Sequence, residues 1–461
     1  MVIVVGATAL MMHEQLEPAS LRRRVVAPTE DAPTEAANDV GQVAASRTGP
    51  VVLVASTCAW PSVPKLAIAL AGASCTVAAL APANHPLNLT QAVSRRFRYS
   101  ANRPLRALAD AIAGAAPDLI IACDERVVEH LHRLHARTAD HAVRRLIERS
   151  LGNPEFYART ASRQFVIDLA AVHGISAPET QTLGGLADLR AWAETRPPPW
   201  VLKVDGSWGG LGVRVVSSLA EAERAFHQLS RPVRPLYALR RLILSRDPFW
   251  LTPWLHQPPR PDPVHSGPAG VGGSSRITVQ RYIQGRPANC VITAWNGAAL
   301  DGVAVDVIAS EGETGPASVV RLAADPAMLI VGARIIQELG LSGLIGFDFL
   351  VEAETGRLFL LEMNPRPTPI SHLRLGAGHD PIGALVAQVS GRPAPDYPAE
   401  TVRDTIALFP QADLQLPGHP ILAEAYHDTP LQDPRLVRAL LRRRTVRRAS
   451  PIFSGGVIEA T

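Results

Sequence analysis

Lysine is nearly missing from this chain. Of 46 basic side chains only Lys65 and Lys203 are lysine and the rest are arginine. A position that keeps lysine therefore hints at a need for a compact ammonium that the wide guanidinium fork cannot supply. Aromatic residues are scarce at 5% and do not interleave the arginines, which argues against a surface that stacks nucleic-acid bases. No run of about 18 apolar residues occurs, so no membrane-spanning helix is expected. The opening MVIVVGATALMM lacks a basic flank and a small-residue cleavage pattern, and it is not read as a signal peptide. The 4 cysteines, Cys58, Cys75, Cys123 and Cys290, have no paired spacing. That pattern speaks against a zinc cluster and fits buried, reduced thiols of a cytoplasmic protein. No G-x-G-x-x-G follows the first strand, and the glycine-rich loop present is not a Walker loop, which needs G-x-x-x-x-G-K-[ST] before a helix.

What is present is a soluble, globular balance of 47% hydrophobic and 19% charged residues over 461 residues, enough for roughly three domains or subdomains. The net charge of +4 is dispersed, except over Arg435 to Arg448, which reads as a basic amphipathic helix, solvated or touching an anionic partner. Residues 1–48, rich in Ala, Thr, Glu and Pro, are expected to form a mobile leader. From Gly49 the pattern alternates: strands at 51–56, 75–82 and 118–124, helices at 64–74, 104–115 and 125–136. Such alternation builds a parallel sheet with helices on its faces over 49–148, and a small substrate would sit at the carboxyl ends of its strands. Further on, helices are expected at 161–172, 186–194, 327–339 and 382–389. Strands are expected at 200–204, 213–216, 276–285, over two antiparallel segments between 288 and 309, and at 405–409. A Pro-rich insertion, 232–275, has no clean period and reads as a lid or a partner surface.

Two stretches carry chemistry. In WVLKVDGSWGGLGVRVV, strands 200–204 and 213–216 flank a loop whose small residues let backbone N–H groups close over a polyphosphate, with Lys203 on the feeding strand in reach of a phosphate oxygen. The bland alternative is a long hairpin turn. In GLIGFDFLVEAETGRLFLLEMNPRP, a hairpin turns at Glu354-Thr355-Gly356-Arg357, and period-two geometry sets Glu362 and Asn364 on one face. Asp348, Glu362 and Asn364 together supply the hard oxygen ligands that magnesium takes beside nucleotide phosphates, and Arg366 suits an anionic oxygen made nearby. The bland alternative is a hairpin whose acids face water.

In this order and spacing, the two motifs resemble the ATP-grasp superfamily of ligases, the group that includes biotin carboxylase and the carbamoyl-phosphate synthetase large chain. The resemblance runs from about residue 150 to 375. It implies an α/β and α+β chain: an ATP-grasp fold over 149–390, two subdomains clasping ATP with a glycine-rich lid at about 200–275, preceded by the parallel-sheet α/β domain and followed by a C-terminal segment, 391–461. It implies ATP with Mg2+ or Mn2+ held by Asp348, Glu362 and Asn364. Lys203, Ser207, Gly209, Gly210 and Gly212 would surround the phosphates, with Gln280, Arg281 and Ile283 at the adenine and Arg366 as the transition-state or acceptor-anion arginine. Arg163 stands where the family usually carries a phosphate lysine, and Arg286-Pro287 stands where a ribose-binding acid often follows the hinge. Four residues beyond Arg366, where biotin carboxylase has an acidic base for bicarbonate, this chain has Ile370. His372 is expected to cap the next segment rather than to meet substrate.

The activity implied is activation of a carboxylate as an acyl phosphate and its capture by an amine, with small-molecule acid and amine as partners. A carbamoyl-phosphate-like enzyme and a non-catalytic ATP-binding scaffold are the alternatives. Oligomeric state is open, a homo-oligomer included.

Overall fold

In the computed structural model the described residues are 49–160, 162–204, 212–230, 277–312, 315–393 and 398–448, with side chains to 442. The expected leader, the loop positions Ser207, Gly209 and Gly210, and the Pro-rich insertion lie outside them.

The amino-terminal sheet begins with β1 (Val51–Ala55), buried along its whole length. Its continuous apolar run is what a parallel strand covered on both faces requires. α1 (Ser62–Gly72), β2 (Thr76–Ala81), β3 (Val93–Arg98), α2 (Pro104–Ala115), β4 (Leu119–Ala122), α3 (Glu125–Arg137) and α4 (His141–Leu151) follow. The strand order is β3-β2-β1-β4, parallel throughout. The expected alternation is present, and α1 starts two residues earlier than its apolar period suggests. β3 was not legible in the sequence. As an edge strand it pairs on one side only, so VSRRFR can expose Arg95, Arg96 and Arg98, and charge on an edge blocks further pairing.

α5 (Arg163–Val172) leads to a second, antiparallel sheet. Its strands are β5 (Thr180–Leu183), β6 (Trp200–Val204), β7 (Val213–Val216) and β8 (Ile277–Arg281), in the order β5-β8-β6-β7. α6 (Leu186–Thr195) and α7 (Leu219–Ser230) cover it, burying Leu189, Trp192, Ala222 and Ala225 against Trp200, Leu202 and Val279.

The third sheet contains β9 (Gly285–Trp295), β10 (Ala298–Ser310), β11 (Ala317–Leu322), β12 (Gly343–Glu352), β13 (Leu358–Asn364), β14 (Thr405–Ala407) and β15 (Tyr426–His427), with α8 (Ala327–Leu339) between β11 and β12. Its order is β13-β12-β9-β10-β11-β14-β15. α9 (Pro381–Ser390) and α10 (Pro434–Arg448) complete the described elements used below. Alternation along the strands sorts the faces. Cys290, Ile292, Phe347 and Phe349 join Ile335 and Ile336 of α8 in one core. Val291, Val303 and Val305 join Leu66 of α1, Ile370 and Ile382 in another. Asp348, between two phenylalanines of the first core, therefore belongs to the face turned toward α1.

The structure corrects two strand boundaries. The run 276–285 is not one strand: β8 ends at Arg281, and β9 opens at Gly285 in a different sheet. The chain crosses between sheets there, where a Cβ on Gly285 would lie 2.2 Å from the Val351 carbonyl oxygen. β14 stops at Ala407 rather than Phe409. The Phe409 N–H turns instead to Asp428.

Candidate functional site

β12 and β13 set the acids. Asp348 stands opposite Glu362, and Asn364 opposite Gly346. Between the pairs Asp348–Glu362 and Phe349–Leu360 the register slips by one residue. This bulge at Leu361 re-aims the strand, so that Leu361 and Glu362 both line the same cavity. Asn364 Nδ2 donates to Asp348 Oδ2 at 2.8 Å. Burial first, and then the facing Glu362 charge, raise the Asp348 carboxyl to about 6. Two carboxylates held face to face on a half-buried wall are what a divalent cation relieves, and oxygen donors suit magnesium. The residues present thus fit the ion.

Arg163, at the start of α5, ties two subdomains together. Its Nη1 donates to the Val204 carbonyl at 2.7 Å and its Nη2 to Glu362 Oε1 at 2.9 Å. Ser162 caps the helix through Phe165 N–H, which fixes where the arginine emerges. On β6, Lys203 is half-buried and lines the cavity, and its ammonium makes no hydrogen bond to any described residue, although its carbonyl accepts from Thr278 Oγ1 at 3.5 Å. Burial, with Arg163 adding to it and Glu362 and Asp348 opposing, lowers its pKa to about 8. Val204 N–H donates to the Gly212 carbonyl at 3.0 Å, so the hairpin ladder extends to the last described residue on either side of the loop.

Gln280, Arg281 and Ile283 line the cavity beside Lys203, with Gln280 Nε2 held by Thr180 Oγ1 at 2.9 Å. Arg366 enters from the strand β13 side. Its Nε donates to Glu125 Oε1 at 2.6 Å, with Nη2 ion-paired to the same oxygen at 2.5 Å, and its Nη2 donates to Asn364 Oδ1 at 3.1 Å. Glu125, in the first turn of α3, was missed from sequence. Nothing local marks it, because its partner lies 241 residues away. Gly346 lets this loop close: a Cβ there would lie 2.1 Å from Thr368 Cγ2.

One cavity of about 410 Å³ holds Arg163, Lys203, Gln280, Arg281, Ile283, Asp348, Glu362, Asn364 and Arg366. A wider surface trough of about 650 Å³ beside Arg149 and Asn296 holds none of them. Arg286 pairs with Asp306 on β10. His372 is neither a cap nor a cavity residue. It is buried with Nε2 3.0 Å from Asp428 Oδ2, and the next helix, α9, is capped by Asp380.

No protein-family model matches the sequence, and no curated protein matches it. Solved structures do resemble it. An N5-carboxyaminoimidazole synthetase from Staphylococcus aureus complexed with ADP superposes with a TM-score of 0.51 at 13% identity, over 76% of this chain and 79% of the other. The carboxyaminoimidazole ribonucleotide synthase from Aspergillus clavatus complexed with ATP gives 0.52 at 13%, over 76% and 79%. The biotin carboxylase domain of 2-oxoglutarate carboxylase from Hydrogenobacter thermophilus, with MgADP, ADP and bicarbonate, gives 0.51 at 14%, over 77% and 72%. At such identities the likeness concerns architecture alone: this chain has an ATP-grasp fold with a parallel-sheet domain ahead of it.

Proposed function

We propose that the protein is an ATP- and magnesium-dependent ligase that activates a carboxylate as an acyl phosphate and joins it to an amine. The observation that carries this reading is Lys203: a half-buried ammonium without a described partner, in the same cavity as Asp348 and Glu362. A cation and paired acids in one cavity suit a nucleotide triphosphate and its metal together.

In this reading Asp348, Glu362 and Asn364 hold magnesium, which supplies neutralising charge to the phosphates when bound. Lys203 and Arg163 contact the phosphates under the loop of Ser207, Gly209, Gly210 and Gly212. Gln280, Arg281 and Ile283 flank the base. A carboxylate oxygen attacks the γ-phosphorus and ADP leaves. The amine then adds to the acyl carbon, phosphate leaves, and the amine's proton passes to solvent. No protein nucleophile is needed; positioning and fixed charge do the chemistry. Arg366, oriented by Glu125, faces the anionic oxygen of the acid. Ile370 in place of an acidic base favours an organic acid over bicarbonate.

The test is acid-dependent ADP formation with hydroxylamine as the capturing amine, which converts an acyl phosphate to a hydroxamate. Hydroxamate is expected in amounts equal to the ADP formed. If no acid and amine pair stimulates ADP release, the protein is an ATP-binding scaffold.

A pH dependence follows from Lys203. Its ammonium persists below about pH 8 and is lost above it, and phosphates bind the charged form. ATP affinity is therefore expected to fall as pH rises past 8, by up to about tenfold per pH unit. Lys203→Met should weaken binding and flatten that slope in calorimetric titrations. A wild-type slope that survives in the variant would reassign the titrating group.

A further inference from the structure

Arg366 lies between two sets of carboxylates. On one side its Nε donates at 2.6 Å to Glu125 Oε1, in the first turn of α3. On the other its Nη2 donates to Asn364 Oδ1 at 3.1 Å, and Asn364 Nδ2 donates in turn to Asp348 Oδ2 at 2.8 Å. A single amide therefore separates the guanidinium from the acid that faces Glu362 across the hairpin. The Arg366 side chain is 13% exposed and that of Glu125 38%, so the cation is the more deeply buried partner and the more dependent on its anions. Burial works against its charge; Glu125 first, then Glu362 and Asp348, more than offset that.

Glu125 is fixed in place by its neighbour. Asp124 accepts from the Ser56 and Thr57 hydroxyls and from the Thr57 and Cys58 N–H groups after β1, and it caps α3 through the Val127 N–H. With all of these bonds on one buried carboxylate, the turn that carries Glu125 has little freedom. Arg366 stands two residues past the end of β13, on a side chain with rotamer freedom enough to cross a gap of one amide. Take away the Glu125 charge, and the anions left to act on this guanidinium are Glu362 and Asp348. Glu362 already carries Arg163 at 2.9 Å. A second guanidinium on the pair would cancel its remaining negative charge and leave nothing there to attract another cation.

We infer that Glu125 is a positioning residue for the metal site: it holds the Arg366 guanidinium off Asp348 and Glu362, so that these acids stay open to a divalent cation. This rests on the metal assignment of the ligase reading and adds to it a residue of the parallel-sheet domain. The geometry assigns Glu125 no contact with the ion; it acts through Arg366, as outer partners of metal ligands do.

The experiment is Mn2+ binding in the presence of ADP, counted from the free-ion EPR signal against an ADP-only blank, on wild type, Glu125→Gln, Arg366→Met and the double variant. Glutamine keeps the shape of Glu125 and an oxygen for the Arg366 Nε, and removes only the charge. Glu125→Gln is expected to weaken Mn2+ binding about ten- to a hundredfold. Arg366→Met should bind the ion at least as tightly as wild type, and the double variant should return to within about threefold of wild type, because the displaced cation is gone. A latch that merely joined two domains would not be rescued by removing its second half. Wild-type affinity in Glu125→Gln, or a double variant as weak as the single one, overturns the role of Glu125 and leaves the metal site standing. A wild-type protein that takes up no Mn2+ overturns both.

Discussion

Glu362→Gln is expected to lower turnover on the order of a thousand-fold, about 4 kcal/mol of transition-state stabilisation. Glutamine keeps the shape of the side chain and an oxygen to accept from Arg163 Nη2, now 2.9 Å from Oε1. What it removes is the charge. Glu362 faces Asp348 across the hairpin, and the pair forms the negative pole of a cavity whose described cations are Arg163, Lys203, Arg281 and Arg366. In the ligase reading, the variant would leave magnesium to a single acid, Asp348, and two neutral amides. The fold should largely survive, because the amide oxygen can still accept from Arg163 Nη2 and Arg163 Nη1 keeps its bond to the Val204 carbonyl. Steady-state ADP release, with the thermal midpoint measured beside it, decides the matter. A variant that melts like wild type and turns over within about tenfold of it removes Glu362 from the metal site.

Asp428→Asn is expected to cost about 3–5 kcal/mol of stability, because it strips the partner from a buried cation. Lys65 Nζ donates to Asp428 Oδ2 at 2.5 Å and to the Phe409 carbonyl at 3.1 Å, and the Phe409 N–H donates to Asp428 Oδ1 at 2.5 Å. Lys65 is 5% exposed and His372, at 3.0 Å from the same carboxylate, 6%. Asparagine can still hydrogen-bond but leaves the buried ammonium without a counter-charge. Burial alone would raise the Asp428 carboxyl; Lys65 and His372 overcome it and hold the group at about 2. A carboxyl held below its unfolded value adds stability above that value, near 4, and loses it as pH falls toward 2. Urea unfolding at pH 7 should show the full deficit, and wild type and variant should converge between about pH 4 and 2. A constant difference across that window would place the stabilisation elsewhere.

The hairpin of β12 and β13 was readable because period two leaves few choices for Glu362 and Asn364, and the loop after Lys203 because glycine spacing is a local property. The alternation of strand and helix from Val51 to Arg137 was legible for the same reason: burial on both faces writes a continuous apolar run into each strand. β3 escaped because an edge strand needs no such run. The bulge at Leu361, which lets Glu362 pair with Asp348, depends on which residues β12 meets across the ladder and not on β13 itself.

The sequence by itself determined the identity of the acids, the rare lysines and the periods that make the elements. Each of these is a matter of side-chain chemistry or of neighbours a few residues apart. Tertiary structure alone decided that Glu125 holds Arg366, that Lys65 lies buried on Asp428 rather than in the cavity, and that His372 stands with it. These are contacts across tens to hundreds of residues, fixed by how sheets and helices stack, and no local pattern encodes which distant group will fill a given space.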